Sequence, residues 1–316
     1  MAGHVQPPRS GGAVASREPA GYTLPPRRRP RTTPGGGVVA GLGIAALIFV
    51  GAALGMAVFS GLDRGPAGFG PSSAERVDRE IATGNRLYRS GELTPIGCRA
   101  PRIVPGDNAS MRHFMETLTK CLDESWSRQF DKADVDFAPP QRIFWTGSGR
   151  SPCGSYPNPG AAAFYCPANR TMYVGVEHII AASGDEPVGN YAVYARVLAH
   201  EYGHHVQDRA GILAYGHQEM ERPDAQARND ASRRIELQAQ CFAGVFLGAE
   251  RGTLPMTTAQ YQALMVDVQG RGDDSLPPER RDHGSGRNYA GWVDAGFRER
   301  TLAVCNTWTA PATDVD

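Results

Sequence analysis

The chain has 316 residues and a formal net charge of zero, with 33 Lys and Arg against 33 Asp and Glu. That length suffices for one large domain or two small ones, and no basic, aromatic-laced stretch points to nucleic acid, so that class of partner is excluded. The charge is uneven: residues 1–37 hold Arg9, Arg17, Arg27, Arg28, Arg29 and Arg31 against Glu18 alone, and the remainder carries the opposite excess.

Taken in order, residues 1–37 are rich in Pro, Gly and Arg and read as a disordered basic cytoplasmic tail. Residues 38–59 contain no charged side chain. At about 1.5 Å per residue such a helix spans about 33 Å, enough for a bilayer core. A cleaved signal peptide would have a shorter apolar run. Gly51 and Gly55 form a Gly-x-x-x-Gly, which can bring two such helices together as a homodimer. The arginines before the span place the N-terminus in the cytoplasm and the rest outside, anchored in the cell membrane by a single pass. Cys98, Cys121, Cys153, Cys166, Cys241 and Cys305 all follow the span and form no Cys-x-x-Cys. That distribution suggests disulfides in an oxidising compartment. Pairing of sequence neighbours would give 98–121, 153–166 and 241–305, one of the roughly 15 connectivities open to six cysteines.

Residues 60–75, rich in Gly and Pro, read as a linker, and a domain over 76–308 follows. A first helix is expected over 75–88, then an irregular segment to 107. Ser110 reads as the N-cap of a helix over 111–130, whose Phe114, Leu118, Leu122 and Trp126 make one buried stripe. His113 on that helix reads as an ordinary surface or core histidine. Residues 141–146 and 171–176 read as strands on either side of a Gly/Pro-rich loop over 153–166. The second strand is either an inner strand or the rim of a cleft whose open edge pairs with extended substrate. A helix starts after Asn190 and stops at Gly211. Residues 211–229 look loop-like with some helix. Helices follow over 230–249, 255–268 and 289–304, with a polar loop over 270–286 that holds His283. Residues 309–316 read as disordered. The expected class is α+β, mainly helical, with a small sheet before the helix at 190–211 and one transmembrane helix in front.

That helix contains His200-Glu201-Tyr202-Gly203-His204. Residues four apart on a helix share a face, so His200 and His204 can close on one metal ion. Glu201 projects beside it, where a carboxylate can take a proton from a water that the metal has acidified. His205 points about 100° away from His204 and reads as a helix-face residue. A catalytic zinc takes three protein ligands and leaves one position open. The third ligand is to be sought among Glu236, His283 and Asp230. Asp230 has the alternative of capping a helix start, and His283 lies in a flexible Gly-rich loop. Glu236 stands on a helix with an apolar face, where a carboxylate is costly unless a cation meets it.

Four ordered segments resemble the bacterial putative neutral zinc metallopeptidases, membrane-anchored proteins of the zincin class. They are CGSYPNPGAAAFYCPANRTMYV at 153–174, LAHEYGHHVQDRAGI at 198–212, RRIELQAQCFAGVF at 233–246 and HGSGRNYAGWVDAGF at 283–297. The resemblance covers roughly residues 85–305. It implies a zincin-like domain, Zn2+ held by His200, His204 and Glu236, and Glu201 as general base acting on a peptide or protein substrate. His283 is assigned the oxyanion, with loop capping as its alternative, and Tyr289 is a second candidate for the oxyanion. The chain departs from the family at Gln240, where an aspartate is expected as acceptor for a ligand histidine N–H.

Three functions compete on this reading. The first is a membrane-anchored zinc metallopeptidase acting outside the cytoplasm. The second, motivated by Gln240, is a zinc-binding scaffold that retains the peptidase fold. The third is a domain in which zinc is purely structural, and an intact Glu201 speaks against it.

Overall fold

The computed structural model describes residues 76–157, 162–184, 186–277 and 280–316. The expected tail, membrane helix and linker all lie outside the described residues. Among the described residues no helix is long and apolar enough to cross a membrane.

The first helix is broken. A single turn, α1 (Glu80–Thr83), ends at Gly84, and a 3-10 turn over Arg86–Arg89 follows. Asn85 separates them because its side chain accepts from the Leu87 N–H, which diverts the backbone from a continuing helix. The long helix α2 (Asn108–Ala133) starts three residues earlier than expected. Its cap is Asp107, whose carboxylate accepts from the N–H groups of Ala109 and Ser110. Ser110 turns away, and its hydroxyl takes the Val104 N–H at 2.8 Å. Phe114, Leu118, Leu122 and Trp126 are buried as their spacing requires, and His113 is exposed.

Five strands follow: β1 (Gln141–Trp145), β2 (Gly149–Ser151), β3 (Gly154–Tyr156), β4 (Ala163–Cys166) and β5 (Thr171–Gly175). Strands β2 and β3 form a hairpin of their own, and the other three form a sheet in the order β1-β5-β4. Strand β5 therefore has both edges occupied, parallel to β1 and antiparallel to β4. The open-edge reading of residues 171–176 is overturned, and the inner-strand reading stands. The stretch expected as a loop over 153–166 instead contains β3 and β4. The short helix α3 (His178–Ala182) leads on to α4 (Tyr191–Arg209), the helix with the paired histidines.

Three disulfides join Cys98 to Cys121, Cys153 to Cys166 and Cys241 to Cys305, as sequence proximity suggested. The segment after Gly211 is α5 (Ile212–Met220), and α6 (Ala225–Ala249) starts well before residue 230. Asp224 caps α6. Asp230 thus sits inside the helix and not at its start, and it pairs with Arg234 at 2.7 Å. Helices α7 (Thr258–Gln269) and α8 (Gly286–Glu299) complete the bundle, and a 3-10 turn over Leu302–Cys305 closes it. Residues 309–316, expected to be disordered, are tied down. Arg233 Nε donates to the Val315 carbonyl at 2.7 Å, Trp292 Nε1 donates to that of Asp314 at 2.7 Å, and Val315 is fully buried.

Glycines set how closely α6 meets its neighbours. A Cβ on Gly244 would lie 2.2 Å from the Val293 carbonyl oxygen of α8, and one on Gly248 would lie 2.1 Å from that of Phe297. On the other side, a Cβ on Gly203 would lie 3.0 Å from the carbonyl oxygen of Ala239. Gly203 therefore lets α4 and α6 approach backbone to backbone between the two histidines. Gly203→Ala is expected to destabilise the chain by about 1–3 kcal/mol through overpacking and to weaken metal binding by parting the helices. Denaturant unfolding and zinc competition on one protein preparation check both effects.

Candidate metal centre

Helix α4 presents His200 and His204 one turn apart on the face that meets α6, and α6 presents Glu236 to them. Each of the three is at least 94% buried. His200 Nε2 and His204 Nε2 lie 3.2 Å apart. Glu236 Oε2 is 3.3 Å from the first and Oε1 is 3.6 Å from the second. Tetrahedral zinc with bonds of about 2.0–2.1 Å sets neighbouring ligand atoms about 3.3–3.4 Å apart, so the triangle has the right size. A second observation agrees. Glu236 Oε2 is buried and has no hydrogen-bond partner, although His200 Nε2 is near. A buried carboxylate oxygen left without a donor is costly, and a cation removes the cost.

The electrostatics of the metal-free centre follow the same geometry. Burial holds His200 down to about 3, against the pull of Glu236. Burial also works against a charge on His204, but Glu236 and Glu201 outweigh it and lift that imidazole to about 9. Glu236 is held well below the usual carboxylate range: burial opposes its charge, and the two imidazoles overcome it. The pair His204–Glu236 thus holds a proton within the triangle, and a divalent cation bound there would displace it.

Glu201 is 1% exposed, and its Oε1 has no hydrogen-bond partner. Burial pushes its carboxyl up to about 7, while His204 and the peptide N–H of Tyr165 on β4 pull the other way. A carboxyl with one free oxygen, titrating near neutrality beside the ligand triangle, can both accept and return a proton.

The two imidazoles are held from behind. A ring that offers Nε2 to a cation carries its proton on Nδ1 and needs an acceptor there. For His204 the acceptor is Gln207 Oε1, 3.0 Å from Nδ1. Gln207 in turn donates to the Ile235 carbonyl at 2.8 Å and to Gln238 Oε1 at 3.0 Å. Gln238 donates to the Tyr88 hydroxyl and the Cys305 carbonyl. For His200 the partner is Gln240. Its Nε2 lies 2.7 Å from His200 Nδ1 and 2.8 Å from the Tyr289 hydroxyl, while its Oε1 has no partner. Turning the amide over puts Oε1 in the place of Nε2, where it accepts from both Nδ1–H and Tyr289. In that orientation a neutral glutamine supplies the acceptor expected of an aspartate, without its charge. Gln240→Leu is expected to cost about 10–100-fold in zinc affinity, and Gln240→Asp is expected to hold or raise it. Competition with a chromophoric chelator reads both.

Not every expected site residue joins this group. His283 is brought together with Asp273 and Asp282, in a cluster separate from the three ligand candidates. Asp230 is engaged with its own helix's arginines. Tyr289 is fully buried and bonded to Gln240, so it supports a ligand ring. His205 is fully buried, not simply on a helix face. Its Nε2–H donates to the Ala138 carbonyl at 2.8 Å, its Nδ1 lies 3.0 Å from the Tyr165 hydroxyl, and burial pushes it down to about 4.

Two buried imidazoles of a His-Glu-x-x-His helix and a buried carboxylate from the helix packed on it make a cluster that could hold a metal ion. A family model described as "Putative neutral zinc metallopeptidase" matches residues 98–308, and the chain belongs to that family. The uncharacterized protein YpfJ of Escherichia coli (strain K12) is 29% identical over 220 residues, 65% of this chain and 74% of that protein. The uncharacterized protein Rv2575 of Mycobacterium tuberculosis (strain ATCC 25618 / H37Rv) is 29% identical over 194 residues, 54% of this chain and 63% of that protein. No solved structure matches the chain.

Proposed function

We propose that the chain is a zincin-like peptidase that hydrolyses peptide bonds in proteins or peptides, with His200, His204 and Glu236 holding Zn2+ and Glu201 as general base. Zinc in such a centre supplies an acidified water and a Lewis acid for the scissile carbonyl. Glu201 takes the water proton on its unpartnered Oε1 and passes it to the leaving amine. Gln207 and Gln240 keep the two imidazoles turned toward the cation. The observation that carries the reading is the buried Glu201 carboxylate, with Oε1 unpartnered, beside a triangle of zinc dimensions. A site that only braces helices has no use for it.

The setting of the activity belongs to the same proposal. Residues 38–59 anchor the chain in the cell membrane by one pass, with the metal centre outside the cytoplasm. The arginine-rich tail before that segment supports the orientation, and three cysteine pairs suit an oxidising compartment. A homodimer would form through Gly51 and Gly55.

The test is cleavage of a peptide library by the full-length protein before chelation, after it and after zinc is restored. Activity should vanish and return. The rate should also fall as pH drops, because Glu201 works only when ionised. Burial sets its titration at about 7 in the metal-free centre, and a nearby cation lowers it. The acid limb of kcat/KM therefore has its midpoint at or below about 7. A second reading, a zinc-binding scaffold with little turnover, rests on one observation: Gln240, the residue behind His200, is uncharged where the family resemblance leads one to expect an acid. No cleavage across broad libraries by zinc-loaded protein would select it.

A further inference from the structure

We propose a second divalent-cation site formed by Asp273, Asp282 and His283, which ties together the two ends of the loop between α7 and α8. One ligand atom from each of the three lies within 4.8 Å of the others. Asp273 follows α7 by four residues, and Asp282 and His283 stand just before α8. Backbone bonds already draw these ends together. The Asp273 N–H donates to the Gly284 carbonyl at 3.0 Å, and the His283 N–H donates to Asp273 Oδ2 at 2.8 Å. Asp282 Oδ1 is 2.6 Å from His283 Nδ1.

The independent observation is the other oxygen of Asp273. The residue is 6% exposed, and its Oδ1 is buried without a hydrogen-bond partner. The other oxygen of the same carboxylate accepts from the His283 N–H, so the group that carries the orphan oxygen belongs to the cluster. Burying such an oxygen unpaired costs free energy, which a cation recovers. A small divalent ion spaces its ligand atoms about 3.4 Å apart, so the Asp282–His283 pair at 2.6 Å would open slightly within a cluster whose atoms all lie within 4.8 Å. One imidazole with two carboxylates suits zinc or manganese, whereas calcium and magnesium prefer oxygen ligands throughout.

Such an ion would brace the helix that carries Glu236. Gly284 rests against Leu237, where a Cβ would meet Cδ1 at 3.2 Å, and Arg233 of α6 donates to the Arg281 carbonyl at 2.8 Å. The loop tied at residues 273 and 283 is thus pressed onto α6 on both sides of Glu236. The role is structural, and the site stands whether or not the chain cleaves peptides.

The experiment is zinc stoichiometry of the full-length protein, stripped with chelator, reloaded with zinc and desalted, then read by mass spectrometry. Wild type should hold two ions per chain. Asp282→Asn, on a side chain 31% exposed, should fold and hold one, and Asp273→Asn likewise. Hydrogen exchange of residues 273–284 should slow on adding zinc to wild type and stay unchanged in Asp282→Asn. One zinc in wild type and one in Asp282→Asn would overturn the proposal, as would two in each. Cleavage activity has no part in these readouts, so they fail separately from the peptidase reading.

Discussion

Glu201→Gln protein is expected to fold, to keep zinc at the His200–His204–Glu236 centre, and to lose peptide hydrolysis by about 10²–10⁴-fold. The amide has nearly the shape of the acid, but its nitrogen cannot accept a proton and its oxygen is a weak base. The carboxylate is 1% exposed with one oxygen unpartnered, so the protein maintains it against a desolvation penalty. Replacing it removes that penalty, and the variant's melting temperature should equal or exceed that of wild type, the usual exchange of activity for stability at a strained site. Steady-state cleavage, zinc content and thermal melts on one preparation check the three parts. Equal turnover in variant and wild type would end the general-base assignment.

Glu236→Ala is expected to abolish tight zinc binding at the first centre. Two imidazoles from one helix remain, and the loss should exceed the 10–100-fold that removal of an outer partner costs. The metal-free protein should change as well. Glu236 contributes much of what keeps His204 protonated up to about 9, so without it burial drives that imidazole toward the neutral form. NMR titration of the histidines should show the His204 transition move to lower pH, and equilibrium competition should show the zinc loss. His283→Ala should leave the affinity of this centre unchanged. Retention of zinc by Glu236→Ala with loss in His283→Ala would reverse the ligand assignment.

Much of this centre was legible in the sequence because a helix has a fixed period. His200 and His204 had to share a face, and the residues around them had to be buried for α4 to pack. Glu236 stood out as an acid on an apolar helix. The supporting glutamines did not stand out. Gln207 and Gln238 are neutral and polar, carry no spacing rule, and acquire their roles only when α4 meets α6. Arg196, one turn before His200, is charged but was passed over because its partner, Asp267, lies on α7 and comes to it only in the folded chain. It is fully buried, and its Nη2 donates to Asp267 at 2.8 Å across to α7. Local competition misled the reading elsewhere. Ser110 is a good cap residue, but Asp107 reached the free N–H groups first. Strand β4 was hidden in a Gly/Pro-rich stretch because all four of its residues are buried, so it shows no alternation of apolar and polar side chains. His283 was drawn toward the first centre by the search for a third ligand and by the family resemblance, and nothing in the local sequence marked Asp273 as its partner.

The hydrogen-bond chain behind His204 also has a direction in time. It runs from Gln207 to Gln238 and ends on the Cys305 carbonyl, and Cys305 bonds covalently to Cys241 on the same helix as Glu236. Helix α6 also needs the α8 backbone against Gly244 and Gly248 to settle. During synthesis both histidines and Glu236 emerge long before these braces exist. A nascent chain that has just passed α6 carries His200, Glu201, His204 and Glu236, yet lacks the parts that hold them in register. Assembly of the centre therefore waits on α8 and on the Cys241–Cys305 bond, both completed well after Glu236 has been made.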